Sequence, residues 1–92
     1  MTLAELEPAL RAKLEQLGAD AGSLWSESFR EERGRDPEPE ECDELAETTA
    51  PRLARRARKM LIAEGIEADE ALMGEIQQVV HAKFIEFSQD SP

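Results

Sequence analysis

The sequence predicts an all-α fold, a small domain of four helices. Apolar residues recur every three or four positions along most of the chain, glycines and prolines separate these periodic stretches, and no alternating run is long enough for a strand. With 92 residues, of which 40% are hydrophobic, residues 1–92 are expected to form one domain with a thin core. A homodimer is therefore expected, because a second copy can supply the apolar contacts that a thin core lacks.

The first predicted helix begins after Thr2, whose side chain is expected to form a capping box with Glu5. Pro8 lies inside the periodic pattern, so this helix either starts late or is kinked there. Gly18 is expected to end the helix, as a residue that readily adopts a positive φ. The apolar stripe is as narrow as a coiled-coil seam and consists of Leu3, Leu6, Leu10, Leu14 and Leu17.

A second helix is predicted over residues 23–33, with Leu24, Trp25, Ser28 and Phe29 on its inward face. Trp25 and Phe29 are four positions apart and would lie along one side of the helix as its main aromatic anchor. Gly34 is predicted to end this helix.

The third predicted helix, residues 40–64, carries a reversal of charge. Residues 36–47 contain seven acids and no base, whereas residues 52–59 contain five bases and no acid. Part of this reversal matches the helix dipole, which favours acids at the amino end and bases at the carboxyl end. Pro51 lies at the seam and either bends one helix or divides the segment into two. Small residues dominate the first half of the inward stripe, which consists of Cys42, Ala46, Ala50, Leu53, Ala57, Met60 and Leu61.

The last helix is predicted over residues 70–88, with Asp69 as its N-cap. The short connection before it, after Gly65, favours an antiparallel hairpin of the last two helices. Residues 88–92 are expected to fray. The most hydrophobic face of the chain lies on this helix and consists of Leu72, Met73, Ile76, Val79, Val80, Phe84 and Phe87.

Charge and cysteine content exclude several classes of protein. The net charge of −10 argues against general affinity for nucleic acid, whose phosphates are bound mainly through Lys and Arg. Cys42 is the single cysteine, so no disulfide can form within one chain. We expect the thiol to be buried; the alternative is a disulfide across a dimer axis. No leader is apparent, and no apolar run approaches the roughly 20 residues that a membrane span requires. These features predict a soluble, unprocessed, cytoplasmic protein.

The charged halves of the third helix are the main candidate interaction surface. A basic face could bind phosphate or an acidic partner, or could be a solvated face that pairs with acids of the same chain or of a second copy. If two copies pack with these helices antiparallel, the acidic half of each lies against the basic half of the other. Ile62 and Ile85 lie off their core stripes and indicate a further apolar surface. The basic face consists of Arg52, Arg55, Arg56 and Lys59, and the facing acids are Glu40, Glu44 and Glu47.

The sequence offers little for catalysis, metal binding or base reading. Residues 61–72 loosely resemble a helix-turn-helix, but the following helix begins with acids, the wrong sign to face phosphates. His81 lacks the Glu-x-x-His spacing of di-iron bundles, since Gln78 precedes it at that position. No Ser/His/Asp set or glycine-rich phosphate loop is recognisable. We therefore expect no catalytic residue, cofactor, metal or small-molecule substrate.

These observations lead to two functional hypotheses. The first is a non-enzymatic protein-protein interaction module, a small acidic adaptor, inhibitor or subunit that also forms a homodimer. The alternative is a nucleic-acid-related regulator, which either binds through the basic face of residues 52–59 or acts as an acidic mimic of DNA.

Overall fold

The computed structural model describes residues 2–89, and this part of the chain is all-helical, as predicted. A short 3₁₀ helix, Leu3–Glu5, precedes three α-helices: α1 (Pro8–Arg33), α2 (Pro39–Ala63) and α3 (Glu70–Gln89). Three α-helices thus replace the four that the sequence predicts. No helix within residues 2–89 is both long and apolar enough to cross a bilayer.

The first two predicted helices are one helix, because Gly18 and Gly22 lie inside α1 and are buried against α3. A Cβ atom added at Gly18 would lie 2.5 Å from the carbonyl oxygen of Val80, and one at Gly22 would lie even closer to that of Phe84. The prediction that Gly18 ends the helix is therefore wrong, since the glycines permit close packing of two helices. These contacts also show that α1 and α3 run in the same direction.

The amino end of α1 starts late, at Pro8, which is one of the two outcomes expected of this proline. The predicted capping box is wrong, because the Thr2 side chain makes no capping hydrogen bond and the residues after it form the 3₁₀ helix. Instead, the backbone amide of Leu3 donates to the Glu75 carboxylate at 2.6 Å. The leucine stripe contributes to the chain's own core: Leu6, Leu10 and Leu14 are buried, and Leu3 and Leu17 pack against them.

The connection from α1 to α2 is held by backbone and charged contacts. Gly34 ends α1 as predicted, with φ 70° and its amide donating to the Arg30 carbonyl. The Glu41 carboxylate is contacted by the Arg35 guanidinium at 2.9 Å and accepts a hydrogen bond from the backbone amide of Glu38 at 3.1 Å. Both contacts stabilise the ionised form, so the pKa of Glu41 lies below its ordinary value.

Helix α2 passes through Pro51 without interruption, so the alternative of two separate helices is wrong. Its inward stripe is as predicted, except that Met60 is only half-buried. Small side chains dominate the first half of this stripe, and α2 packs against α3. The buried residues are Cys42, Ala46, Ala50, Leu53, Ala57 and Leu61.

Helix α3 supplies the centre of the core. The Asp69 carboxylate accepts a 2.8 Å hydrogen bond from the Leu72 amide, which confirms the predicted N-cap and lowers the pKa of Asp69. The helix continues through Gln89, two residues into the segment predicted to fray, and Ser88 is buried. Residues 90–92 lie outside the described part of the chain. Leu72, Ile76, Val80 and Phe84 form the buried stripe, and Met73, Val79 and Phe87 are half-buried.

The helices pack unevenly around this core. Helix α3 packs against both α1 and α2, whereas α1 and α2 scarcely contact each other. Trp25 fills part of the space between them, with its ring 5.4 Å from that of Phe29 and 6.0 Å from that of Phe84. The prediction that Leu24 and Ser28 face inward is wrong, because this arc of α1 borders an open depression between α1 and α2: Leu24 is 67% exposed and Ser28 is exposed as well. A groove therefore remains open between α1 and α2.

Candidate interaction groove and basic face

The groove between α1 and α2 consists of two adjoining depressions that share Trp25 and Leu45. The larger has a volume of about 630 Å³ and the smaller of about 330 Å³. Residues 17–33 of α1 form one wall and residues 41–56 of α2 form the other. The carboxyl end of α1 and the amino end of α2 lie at the same end of the groove, so its two walls run in opposite directions.

Apolar side chains line the middle of this groove. Phe84, from α3, contributes to its lining from below, and Trp25 and Leu45 stand half-buried on the two walls. Leu24 lies beside them with most of its side chain in solvent. Leu24 and Thr49 both line the larger depression, and each lies near the midpoint of its own wall. An apolar strip of this kind suits helix docking, because covering it would remove hydrocarbon from water.

The two ends of the groove carry opposite charge. The end formed by the larger depression has two arginines and one acid, and the end formed by the smaller depression has three acids and one arginine. The charge reversal of the sequence therefore runs along the groove. The basic end is lined by Arg52, Arg56 and Asp20, and the acidic end is lined by Glu32, Glu41, Glu44 and Arg33.

The predicted basic face lies on the exposed side of α2. Arg52, Arg55, Arg56 and Lys59 are all exposed, as is the neighbouring Arg58. None of these five cations forms an ion pair with a residue in the described range 2–89. A direct ion pair of the basic face with acids of the same chain is therefore not observed among these residues, and pairing with a second copy stays a prediction. Arg52 and Arg56 border the groove, whereas Arg55 and Lys59 lie outside it.

The three predicted acidic partners are separated by the fold. Glu44 lines the acidic end of the groove, and Glu40 is exposed in the first turn of α2. Glu47 lies instead in a depression of about 400 Å³ that it shares with His81, on the side facing α3. The Nε2 atom of His81 is buried and has no hydrogen-bond partner among residues 2–89. The structure thus brings Glu44, but neither Glu40 nor Glu47, into one groove with basic residues.

The two predicted surface isoleucines have different positions. Ile62 is 63% exposed, as expected, and lies with Arg58 and Ile66 in a depression of about 800 Å³ at the connection between α2 and α3. Ile85 is half-buried and packs against the core, so it does not contribute a free apolar surface. Ile85 is half-buried because both α1 and α2 pack against α3, so together they cover more of the α3 surface than its central apolar stripe.

Sequence reasoning missed the groove because it divided α1 in two. Once Gly18 and Gly22 are placed inside one helix, a continuous series of positions faces α2. The spacing of three and four residues along this series was a usable signal. Its members are Leu17, Ala21, Leu24, Trp25 and Ser28.

The remaining chemically active side chains are the cysteine thiol and the groups that could bind a metal ion. Cys42 is fully buried, as predicted, and is a free thiol. Within residues 2–89, no three His, Cys, Asp or Glu side chains are placed to hold a metal ion. No protein-family model matches the chain, and no curated protein or solved structure shows significant similarity to it.

Proposed function

We propose that this protein is a non-enzymatic interaction module, a small acidic adaptor, inhibitor or subunit that acts in the cytoplasm and also associates with a second copy. The observation that carries the proposal is the set of five exposed cations on α2 that have no ion pair within the described chain. The surface used for another protein comprises Arg55, Arg58, Lys59 and Ile62.

These cations favour an acidic partner surface. Like charges three and four positions apart on a helix repel each other, so carboxylates from a partner would relieve this repulsion. Ile62 lies beside Arg58 and is exposed over 63% of its surface. An apolar side chain of this kind serves as an anchor when a partner covers it, while charged neighbours at the rim govern orientation and association rate.

The high net charge restricts how such a partner approaches. The chain carries −10 overall, so most of its surface repels an acidic protein. The carboxyl half of α2 is the exception, because its bases outnumber its acids. An acidic partner is therefore directed to one side of the molecule.

We also propose how the helix that carries this surface is oriented relative to α3. We propose that α2 and α3 form an antiparallel hairpin, with α2 bent at Pro51. The hairpin is supported by the common direction of α1 and α3 and by the opposite directions of the groove walls formed by α1 and α2. The bend is supported by the missing amide hydrogen of proline within a helix.

Comparative co-purification from the native cell tests this proposal. Lys59→Glu should remove the specific partner. Lys13→Glu should retain it, because Lys13 is an exposed lysine on α1 and its substitution changes the net charge by the same amount. Ile62→Asp should also remove the partner. If the wild-type protein and all three variants capture the same proteins in the same amounts, this surface has no docking role.

Nucleic acid is the second candidate ligand, and the same unpaired cations favour it. Binding through α2 predicts retardation of duplex DNA at low salt that weakens steeply as salt rises. A titration without retardation at low salt would exclude direct binding of DNA.

The alternative, an acidic mimic of DNA, predicts instead that the protein displaces duplex DNA from a basic groove of another protein. The mimic hypothesis is wrong if every DNA-binding protein that co-purifies with this chain keeps its DNA bound when the chain is added.

A further inference from the structure

We infer that the groove between α1 and α2 is closed by the same groove of a second copy, in a two-fold symmetric dimer with the two α2 helices antiparallel. This inference rests on the self-association included in the proposed function, and it specifies the surface. It differs from the surface proposed for another protein, since Arg55, Arg58, Lys59 and Ile62 lie outside the groove.

The charge order of the groove is complementary to itself. In a two-fold interface the same patch of both copies meets, so a patch of one sign repels itself and a patch with opposite ends attracts itself. A two-fold axis across the middle of the groove places Arg52 and Arg56 of one copy over the acidic end of the other. On the facing α2 wall they meet Glu44, and Glu32 lies at the same acidic end on the α1 wall. Neither acid forms an ion pair in its own chain within the described residues.

Each end of the groove also carries one charge of the opposite sign, and these two charges are placed to pair across the same axis. Asp20 lies at the basic end of the α1 wall, and Arg33 lies at its acidic end. The same two-fold axis makes the two α1 helices antiparallel, so Asp20 of one copy lies towards the end that carries Arg33 of the other. A partner helix of a single sign would match one end of the groove and would be repelled by the other.

The apolar middle of the groove supplies the contact at the axis. Leu24 and Thr49 are near the midpoints of the two walls, so the two Leu24 side chains meet close to the axis. Leu24 is 67% exposed in the single chain, and the adjacent Trp25 is only half-buried. Dimerisation would remove both from water, which agrees with the thin core of a chain of 92 residues.

Sedimentation equilibrium of the full chain tests the dimer with a matched pair of double variants. Arg52→Glu with Arg56→Glu makes both groove ends acidic, and the dimer dissociation constant should rise roughly 100-fold or more, the effect expected of reversing close interfacial charges. Arg55→Glu with Lys59→Glu makes the same change in net charge on the same helix but outside the groove. This control should remain as dimeric as the wild-type protein.

A complementary variant tests the antiparallel register. Glu32→Arg with Glu44→Arg makes both groove ends basic and should also give a monomer. An equimolar mixture of this variant with the Arg52→Glu, Arg56→Glu variant should form a heterodimer, because each acidic end then faces a basic end. Leu24→Asp alone should prevent dimerisation without changing the groove arginines or glutamates. Because Leu24 is exposed, this substitution should leave the core of the single chain intact.

The possible outcomes separate this inference from the proposed function. A wild-type chain that sediments as a monomer throughout the micromolar range overturns the dimer, although docking on another protein could still be found by co-purification. A wild-type dimer that responds equally to both double variants retains self-association but overturns the groove as its surface. Failure of the two complementary variants to associate overturns the antiparallel arrangement.

Discussion

Gly18 and Gly22 set the distance between α1 and α3. Glycine inside a helix generally lowers stability by roughly 0.5–1 kcal/mol relative to alanine. At these two positions the backbone of α3 occupies the space that a Cβ atom would need. The absence of a side chain is therefore a packing requirement that outweighs the helix preference for alanine.

Replacement of Gly22 by alanine should consequently destabilise the protein. The added Cβ would clash with the Phe84 carbonyl, a backbone group that cannot move without shifting a whole helix. We expect the free energy of unfolding to fall by about 1–3 kcal/mol, as for other overpacked sites. Urea denaturation at one fixed protein concentration measures this change.

Gly74→Ala is the matched control for that measurement. Gly74 also lies inside a helix, but no atom lies within 4 Å of an added Cβ. This substitution should raise stability by about 0.5–1 kcal/mol, the helix preference alone. Stabilisation by both substitutions would contradict the close approach of α1 and α3.

Asp69 is the second residue with a local role that can be measured. Its carboxylate accepts a hydrogen bond from the Leu72 amide, so its pKa in the folded chain lies below the ordinary aspartate value of about 4. A depressed pKa means that the stabilisation is fully present above the unfolded value. It is lost as pH falls through the folded value.

The difference in stability between the wild-type protein and Asp69→Ala should therefore depend on pH. It should be constant from pH 7 to about pH 5 and shrink below about pH 4, as the carboxyl group becomes protonated. Chemical denaturation of both proteins at a series of pH values measures this difference in unfolding free energy. The contributions of all other carboxyl groups cancel, because both proteins contain them. Asp69→Asn keeps a capping oxygen without a titrating group, and a difference unchanged down to pH 2 would contradict this role.

At the scale of the helices, the sequence was sufficient where local chemistry decides the outcome. Gly34 ends α1 and Asp69 caps α3, because both act on the backbone within one turn. Gly18 is chemically identical to Gly34, yet it lies inside a helix because α3 packs over it. That packing is a contact between residues more than 60 positions apart, and local pattern contains no trace of it. The groove was missed for the same reason, since its walls exist only when α1 is continuous.

Pro51 allows a prediction for α2 as an element. A proline inside a helix removes one backbone hydrogen bond and crowds the preceding turn, at a cost of about 3 kcal/mol in a regular helix. Pro51 is exposed, so its ring contributes little to the core. Pro51→Ala should raise the free energy of unfolding by up to about 3 kcal/mol. Urea denaturation measures the gain, and Gln77→Ala, an exposed site on α3, should change stability little.

A decrease in stability for Pro51→Ala would carry a different meaning. It would indicate that the bend proposed at this proline is needed to keep both halves of the α2 stripe against α3. Thermal melts of the same variant monitored by circular dichroism distinguish this outcome from a loss of helix, because the helical signal at low temperature would be retained.

At the scale of the whole molecule, the open groove couples folding to association. Helix α3 contacts both other helices, but α1 and α2 leave Trp25 and Leu45 half-covered between them. The single chain is extended, measuring 43 × 21 × 19 Å, and so keeps a large surface for its size. A second copy over the groove would complete the cover of these side chains. It would bind only the folded state, because the groove does not exist in the unfolded chain.

The melting temperature of the wild-type protein should accordingly rise with protein concentration. Binding to the folded state stabilises it by mass action, so a 100-fold increase in concentration adds roughly 2–3 kcal/mol once the chain is dimeric. Thermal unfolding at several concentrations measures the shift. The Arg52→Glu, Arg56→Glu variant should melt at a lower temperature that does not change with concentration, whereas Arg55→Glu, Lys59→Glu should follow the wild-type slope. A melting temperature of the wild-type protein that stays constant over this range would mean that the groove remains open in solution and that the half-covered tryptophan is a feature of the folded monomer.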